Sequence, residues 1–378
     1  MQRGFRRFCI ILAIILAIYF TWANAGRKSI ADNTRLFLDS TYTLFNDSGK
    51  GNIVGISPYM IPEDYSSRDH FFNKLDGYLQ IALQKGWLKK NTVVLFPENT
   101  AKWLVIEGEK QSVYSAATTG NAMATFVSSN FFSYMRSWFT APDGTLDKIR
   151  YSVFASKGKT VARLYVDIFS SLAKKYEVTI VGSSVLLPNP IVKGNKIEVR
   201  KGPLYNTTAI FNPDGSLARH LSFEIHPDAE DVEYTTGGKI ENLKTYDLPI
   251  GNTIVLLGSD NWFRDIFLTA KKQNATVVLS PMQVSGDHGT QLLWKGPLKG
   301  TQVTDSSGIQ DISYENAWLR FAMPEMVKST GIETGLAVHL RGRLWDQGYD
   351  GEYSAVSQHT VYAGNYVSEA SMVCLWLR

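Results

Sequence analysis

The sequence predicts a single α/β domain built on mixed sheets, and three observations support this prediction. Short apolar runs such as TVVLFP (residues 92–97) and TIVLLG (253–258) indicate buried strands. Amphipathic helical patterns separate such runs, as in residues 68–85 and 262–273. No linker rich in Pro, Gly or Ser divides the chain after residue 50. Helices that alternate with buried strands imply sheets with covered faces.

The elements follow one another in a regular order. The predicted strands and helices are NIVGISPYM (52–60), the helix at 68–85, TVVLFPE (92–98), helical patterns around 117–137 and 159–175, EVTIVGSS (177–184), a hairpin at 207–223 that turns at NPDG, a strand–helix–strand unit at 253–280, a helix around 315–330, TGLAVHL (334–340), SAVSQHTVYAG (354–364) and SMVCLWLR (371–378).

Composition excludes several classes of protein. The chain has 378 residues, of which 44% are hydrophobic and 20% charged, so it is long and apolar enough for a large core and is not disordered. Its net charge of +4 is small and its basic residues are scattered, which argues against a nucleic-acid partner. The two cysteines, Cys9 and Cys374, cannot form a cysteine-rich zinc site, and we expect Cys374 to be a core residue. We expect neither a metal nor an organic cofactor.

The N-terminus has the pattern of a targeting segment. MQRGFRR supplies three arginines, residues 8–22 are apolar, and Ala23-Asn24-Ala25 is a small-residue cleavage motif. Residues 1–25 are therefore either a cleaved signal peptide or an uncleaved signal-anchor, and both alternatives remain open. Either one exports the remainder to a periplasmic, extracellular or lumenal location, with membrane contact only through this segment. We expect a polar linker at 26–50 and the folded domain at 51–378.

Four motifs, in this order, resemble the carbon–nitrogen hydrolase (nitrilase) family. They are VVLFPENT (93–100), YNTTA (205–209) running into NPDG, TIVLLGSDNWFRDIFLTAKKQNATVVLSP (253–281) and the stretch from RFAMPE to GEYSAV (320–356). The resemblance implies a four-layer α-β-β-α sandwich and, as a family habit, dimerisation through helices beside the site. It also implies amide chemistry by a cysteine nucleophile, a glutamate base and a lysine that steadies the oxyanion.

Two of these three catalytic positions are changed in this chain. The resemblance assigns the general base to Glu98. Counting without gaps assigns the lysine position to Phe223 and the cysteine position to Gly258. No lysine occurs between Lys201 and Lys239, so a small register shift does not restore it. The resemblance therefore implies a nitrilase-like fold whose usual chemistry is lost.

Other residues leave alternatives open. Ser259 could replace the thiol or could simply cap the following turn, and Glu98 with Asp260 could activate a water instead. A serine nucleophile needs a well-placed base, and the candidates by elimination are His226, His288 and His339. The cations nearest to the lost lysine position are Arg219 and His220, and Glu230 is either a second family glutamate or part of an exposed acidic loop. We expect Trp103, Trp262 and Met282 to form walls of the pocket.

Three hypotheses for function follow. The first is an exported, catalytically impaired member of the family. It would bind a small amide-like ligand or a partner in the pocket where other members of the family carry out catalysis. The second is an active amide hydrolase or acyltransferase that uses Glu98 as base with Ser259 or water as nucleophile. The third is a purely structural oligomer, such as a homodimer. The first hypothesis accounts best for the missing cysteine and lysine.

Overall fold

The computed structural model describes residues 2–27, 34–301 and 311–378. The helices are α1 Gln2–Asn24, α2 Arg68–Gln84, α3 Gln111–Tyr114, α4 Thr119–Ser129, α5 Phe131–Phe139, α6 Lys148–Ser156, α7 Gly158–Tyr176, α8 Arg264–Lys272, α9 Tyr314–Phe321 and α10 Met323–Thr330. The strands are β1 Leu38–Leu44, β2 Asn52–Ser57, β3 Tyr59–Met60, β4 Thr92–Leu95, β5 Thr179–Val181, β6 Val185–Lys193, β7 Lys196–Thr208, β8 Ile210–Phe211, β9 Ser222–Phe223, β10 Tyr246–Leu248, β11 Gly251–Val255, β12 Val277–Met282, β13 Thr334–His339, β14 Arg341–Leu344, β15 Gln347–Tyr349, β16 Ser354–Ser357, β17 Thr360–Ala363 and β18 Ala370–Trp376.

Two six-stranded mixed sheets form the centre of the domain. The first has the order β1-β18-β2-β4-β5-β8 and the second β10-β11-β12-β13-β16-β17. In each sheet the middle strands run parallel, and antiparallel strands join them toward the edges. Two smaller sheets, β6-β7-β9 and β15-β14-β3, extend from this core. Mixed sheets were expected from the alternation of strands and helices.

Side-chain alternation along the strands divides the apolar residues between three cores. In β4, Val93 and Leu95 belong to the core between the two sheets, whereas Val94 faces the helices outside the first sheet. In β12, Val277 faces the inter-sheet core and Val278 packs with the helices outside the second sheet. The outer layers are α2 and α7 on one side and α8 to α10 on the other. This confirms the predicted four-layer α-β-β-α sandwich.

A glycine leaves room for close packing of the two large sheets. A Cβ atom on Gly55 would lie 2.5 Å from Cγ1 of Val338, which belongs to the opposite sheet. A larger residue would push the two sheets apart. The sequence alone gives no sign that this glycine is needed for packing.

The predicted polar linker of residues 26–50 requires a correction, because part of it is a strand. Residues 38–44 form β1, which pairs in parallel with β18 and covers the edge of the first sheet. An exposed edge offers unpaired backbone groups, so the polar segment gains a defined position by satisfying them. Residues 28–33 of the predicted linker lie outside the described part of the chain.

Two predicted helices are each divided in two. The pattern at 117–137 is α4 and α5, separated at Asn130, whose side-chain amide donates to the carbonyl of Phe126 at 2.9 Å. The pattern at 315–330 is α9 and α10, separated at Ala322 because Pro324 lies at the start of the second helix.

The N-terminal helix differs from every other described element in its exposure. Within the described residues, Arg3–Asn24 is the one helix long and apolar enough to cross a membrane, with a mean hydropathy of 1.8 over its apolar window. Cys9 lies exposed on it. Cys374 is buried in β18 as expected, and burial raises the pKa of its thiol to about 12.

A buried arginine ties the β14–β16 region together. The guanidinium of Arg341 lies 2.6 Å from Oε1 of Glu352 and 3.1 Å from Oδ1 of Asp350, and it donates to the carbonyl of Gly351 at 2.8 Å. All three ionic side chains are almost completely buried. Its neighbour Arg343 pairs instead with Asp287 at the surface.

We expect Arg341→Met to lower the free energy of unfolding by about 3–5 kcal/mol, because it leaves two buried carboxylates without their cation. The matched control Arg343→Met should change it by no more than about 1 kcal/mol, since an exposed ion pair contributes little. Denaturant unfolding of both variants measures the difference. Equal effects would mean that the buried network is not what stabilises this region.

Candidate functional site

The candidate site lies where the ends of three sheets meet. Glu98 follows β4 of the first large sheet, and Gly258 follows β11 of the second. Asn206 and Glu224 come from β7 and the residue after β9 in a small sheet. The four residues, which we call the Glu98 site, are all buried. Residues from three separate parts of the sequence are therefore enclosed together.

One side-chain amide holds two carboxyl groups in this site. Nδ2 of Asn206 donates to Oε1 of Glu98 at 2.7 Å and to Oε2 of Glu224 at 3.1 Å. The backbone amide of Glu224 also donates to the carbonyl of Asn206 at 3.0 Å, which fixes the two residues side by side. Oδ1 of Asn206 has no hydrogen-bond partner among the described residues.

Gly258 lies directly against both carboxyl groups. A Cβ atom at this position would lie 2.7 Å from Oε1 of Glu224 and 2.8 and 3.0 Å from the two carboxyl oxygens of Glu98. The φ angle of Gly258 is +46°, in the left-handed region that glycine adopts without strain. Both the space and the backbone conformation therefore exclude a side chain at the predicted cysteine position.

The structure does not bring Phe223, the predicted lysine position, next to Glu98. Phe223 does not face Glu98; its ring packs edge-on against Tyr205, with centroids 5.3 Å apart, and lines a cleft on the other side of β9. Because successive side chains of a strand point to opposite faces, Glu224 is the residue that faces Glu98. A carboxyl group, not an apolar ring, stands opposite the expected base. In SFEI (222–225), apolar Phe223 and Ile225 alternate with polar Ser222 and Glu224. This alternation indicates that Phe223 and Glu224 face opposite sides, which a gap-free count does not consider.

Burial raises the pKa of both glutamates well above the usual range. For Glu98 burial is the largest cause, followed by the nearby Asp231 carboxylate. For Glu224 burial is again the largest cause, followed by the charge of Glu98 and then that of Asp260. The hydrogen bonds from Asn206 oppose the rise in both cases. Two such close acids titrate as a pair and retain protons to a higher pH than isolated glutamates.

A lysine that the sequence analysis missed lies beside the site. Nζ of Lys102 donates to the hydroxyl of Tyr234 at 3.1 Å and lies 3.7 Å from Oδ1 of Asp231. Burial is the largest single influence and acts to lower the pKa of Lys102, but Asp231, Tyr234 and Tyr349 together outweigh it, and the pKa lies well above its usual value. Its charge favours ionisation of Glu98. Lys102 lies four residues after Glu98, in PENTAKW, and this proximity was the one indication in the sequence that it lies near the site.

Ser259 and Asp260 are both held by the chain segment that follows β9. Oγ of Ser259 donates to the backbone carbonyl of His226 and lies 3.5 Å from Oε1 of Glu224. The carboxylate of Asp260 accepts the backbone amides of Ile225 at 2.9 Å and of His226 at 2.8 Å. Burial raises the pKa of Asp260 to about 7 against these hydrogen bonds. Asp260 thus fixes the backbone next to Glu224.

The candidate histidines do not form a base–serine pair among the described residues. The ring of His226 stacks on Phe263 at 3.9 Å, and only its backbone carbonyl contacts Ser259. His339 is buried, which lowers its pKa to about 4. His288 is exposed and packs near Tyr366.

The remaining predicted residues lie in three different surroundings. Trp103 packs against Phe154 and Trp345 in the core outside the first sheet. Trp262 stacks on Trp294, and Met282 accepts from the amide of Asn261 at 3.2 Å, both in the core outside the second sheet.

Glu230 is exposed and pairs with Arg150 at 2.9 Å, as an exposed acidic loop predicts. Arg219 is exposed, whereas the ring of His220 is partly buried and stacks on Tyr246.

An open cleft of about 500 Å³ adjoins the Glu98 site across β9. Its apolar wall includes Tyr205, Phe223 and Ile225. Its lining contains three cationic side chains and no Asp or Glu; the cations are Arg219, Lys239 and Lys244. The cleft therefore offers an apolar wall and positive charge, whereas the Glu98 site itself is filled by its own carboxyl groups. Among the described residues no group of acidic, histidine or cysteine side chains has the arrangement of a metal site.

Known proteins of similar structure are nitrilase-superfamily amidases. The NitN amidase from Neterenkonia sp. AN1 is 13% identical, with a TM-score of 0.52 over 87% of this chain and 93% of its own. A double mutant of the amidase from Nesterenkonia sp. AN1 in complex with acrylamide is 12% identical, with a TM-score of 0.52 over 88% and 92%. The chain has the nitrilase-superfamily fold. At such low identity this likeness concerns the fold alone.

One curated protein gives a weaker sequence match. It is the "Probable hydrolase YhcX" of Bacillus subtilis (strain 168), 20% identical over 244 residues. The match covers 61% of this chain and 42% of the relative, so the chain corresponds to less than half of that protein. No family model matches the sequence.

We expect Gly258→Ala to lower the free energy of unfolding by about 3 kcal/mol or more, because left-handed strain adds to a clash with two carboxyl groups. Gly86→Ala is the matched control: its φ is +70°, but no atom lies within 4 Å of the added Cβ. The control substitution should lower the free energy of unfolding by about 1–2 kcal/mol, from backbone strain alone. Chemical denaturation of both variants tests this, and equal costs would show that the carboxyl groups move aside freely.

The raised carboxyl pKa values also predict how stability depends on pH. From about pH 4 upward, Glu98, Glu224 and Asp260 bind more protons in the folded protein than in the unfolded chain, and burial raises the pKa of Asp260 to about 7. The contribution of these three groups to the free energy of unfolding should therefore fall as the pH rises through this window.

Glu98→Gln should make this decline shallower and raise stability at pH 8, because a neutral amide removes one buried ionisable group from the pair. The control Glu241→Gln changes an exposed glutamate and should leave the profile unchanged. Unfolding measured from pH 4 to pH 9 gives the slopes. An unaltered slope for Glu98→Gln would mean that the pair does not hold the extra protons.

Proposed function

We propose that the protein is an exported member of the carbon–nitrogen hydrolase family that has lost thiol-based amide hydrolysis and acts by binding a ligand. The fold and the distant hydrolase relative support the family assignment. The apolar N-terminal helix supports export, either as a signal or as an anchor.

The observation that carries the proposal is the contact of Gly258 with Glu98 and Glu224. A thiol nucleophile needs a Cβ and free space in front of the base. At Gly258 that space is occupied by carboxyl oxygens within 3.0 Å of where a Cβ would lie. A carboxyl group opposite the base also cannot stabilise an oxyanion as a lysine does, because negative charges repel.

The cleft across β9 is the proposed ligand site. An apolar wall with cationic side chains and no acidic residue fits a small apolar molecule that ends in a carboxylate, and less strongly the corresponding carboxamide. A cationic analogue would be repelled. The expected ligand is therefore amide-like in shape, with an acidic end group preferred.

A second candidate function retains catalysis with a different nucleophile. Oγ of Ser259 lies 3.5 Å from Oε1 of Glu224, and Lys102 supplies a nearby cation. Glu98 and Glu224 would then act as acid and base toward the serine or a water. Against this, the hydroxyl of Ser259 already donates to the backbone of His226.

Thermal stabilisation of the full chain in mild detergent by hexanoate, hexanamide and hexylamine tests the binding proposal. We expect hexanoate to raise the midpoint most, hexanamide less, and hexylamine not at all. Lys239→Met should weaken the hexanoate effect several-fold, while Lys50→Met, outside this cleft, serves as the control. Equal responses to all three compounds would contradict an anion-selective cleft.

Ammonia release from hexanamide separates the two candidate functions. The proposal expects no release above the background of a Glu98→Gln sample. Release that both Glu98→Gln and Ser259→Ala abolish would overturn it in favour of an active hydrolase. Release abolished only by Glu98→Gln would indicate an activated water instead.

A further inference from the structure

A cluster of large apolar side chains is exposed on one side of the domain. It lies on α5, on the α5–α6 connection and at the start of α6, and we call it the α5 patch; its members are Phe131, Phe132, Phe139, Leu146 and Ile149. Phe139 and Leu146 are the most exposed, at 78% each. Within a stretch of 19 residues, this is more exposed apolar surface than scattered single side chains would give.

The last turns of α1 are fastened to the same side of the domain. The hydroxyl of Tyr19 donates to the carbonyl of Ser128 at 3.1 Å and accepts the amide of Phe131 at 3.1 Å. The ring of Phe132 stacks on Phe20 with centroids 5.7 Å apart and meets Tyr19 edge-on at 5.4 Å. The patch is therefore continuous with the apolar helix at Tyr19 and Phe20.

Charged groups fix the end of α1 in this place. The guanidinium of Arg27 lies 3.0 Å from Oε2 of Glu109, whose side chain is fully buried. The ammonium of Lys110 lies 3.8 Å from the ring centroid of Trp22 and donates to its carbonyl. Ala23, inside the cleavage motif, is buried. Residues before the cleavage motif thus contribute contacts to the folded domain.

We propose that α1 is retained as an anchor and that the α5 patch rests on the surface of the same lipid bilayer. Tyr19, Phe20 and Trp22 then lie at the level of the headgroups, where aromatic side chains concentrate. Phe131 and Phe132 touch this ring of aromatics and share its depth. This adds a second membrane contact to the one expected from the N-terminal segment, and it does not depend on the proposed ligand.

The dimensions and charges of the patch agree with a helix that lies along the interface. α5 has nine residues and is about 13 Å long, so it can place Phe131 and Phe139 on one plane if it runs parallel to the surface. The exposed charges beside it are Arg136, Lys148 and Asp143, which leave a small net charge of +1. Apolar insertion, not attraction to anionic lipid, is therefore the expected driving force.

Site-specific labelling of the full chain in phosphatidylcholine vesicles tests the proposal. A polarity-sensitive fluorophore is attached, in a Cys9→Ser background, to the thiol of Phe139→Cys or Leu146→Cys. The matched control carries it on Leu268→Cys, since Leu268 is also an exposed apolar residue but belongs to α8, outside the second sheet. Native Cys9, labelled in a separate sample, reports whether α1 enters the bilayer.

We expect the labels at 139 and 146 to shift to shorter emission wavelengths and to be quenched by lipids that carry a spin label near the headgroup. The label at 268 should remain water-like and unquenched. Labels at 139 and 146 that behave like 268, while Cys9 is quenched, would overturn the patch contact. A wavelength shift without lipid quenching would mean that another copy of the chain covers the patch, and a chain that does not float with the vesicles would overturn the anchor as well.

Discussion

The side-chain amide of Asn206 determines the character of the Glu98 site, because two buried carboxyl groups depend on its single NH₂ group. Each carboxyl alone would be costly to bury, and the two together repel each other unless they retain protons. Gly258 completes the arrangement by leaving the space that the carboxyl oxygens occupy. A larger side chain at this position would have to displace at least one glutamate, so the glycine at position 258 and the inward position of Glu224 depend on each other.

Two buried groups of ionisable side chains in this protein differ in how their charges are paired. Around Arg341 the carboxylates of Asp350 and Glu352 face a cation and several backbone partners. In the Glu98 site the carboxyl groups face each other, and Lys102 is occupied mainly by Asp231. In the first arrangement both carboxylates face the same cation, so removal of that cation would leave two buried charges uncompensated. The second is costly to the fold, and such uncompensated groups are typical of a site that has or once had a chemical role.

Much of the fold could be predicted from the sequence because burial imposes periodicity. Val93 to Leu95 and Val277 to Leu279 read as strands covered on both faces, and the structure places them between sheet and helix layers. The site was harder to predict. A shift of one position along a strand changes which side chain faces the site, and the sequence count named Phe223 where Glu224 faces Glu98. β1 was missed since its polar sequence gains its conformation from the edge of β18, and Lys102 was missed since its partner Asp231 is remote in sequence.

The segment that carries Asp231 also links the site to the side of the domain that carries the α5 patch. The backbone amides of Leu146 and Asp147 donate to the carbonyl of Glu233 at 3.0 and 2.8 Å. Asp231, two residues earlier, pairs with Lys102, whose charge acts on Glu98. A displacement of the α5–α6 connection would therefore move Asp231, the ion-pair partner of Lys102. Contact of Leu146 with a bilayer would hold this connection in place and, through Glu233 and Asp231, the ionic surroundings of the Glu98 site.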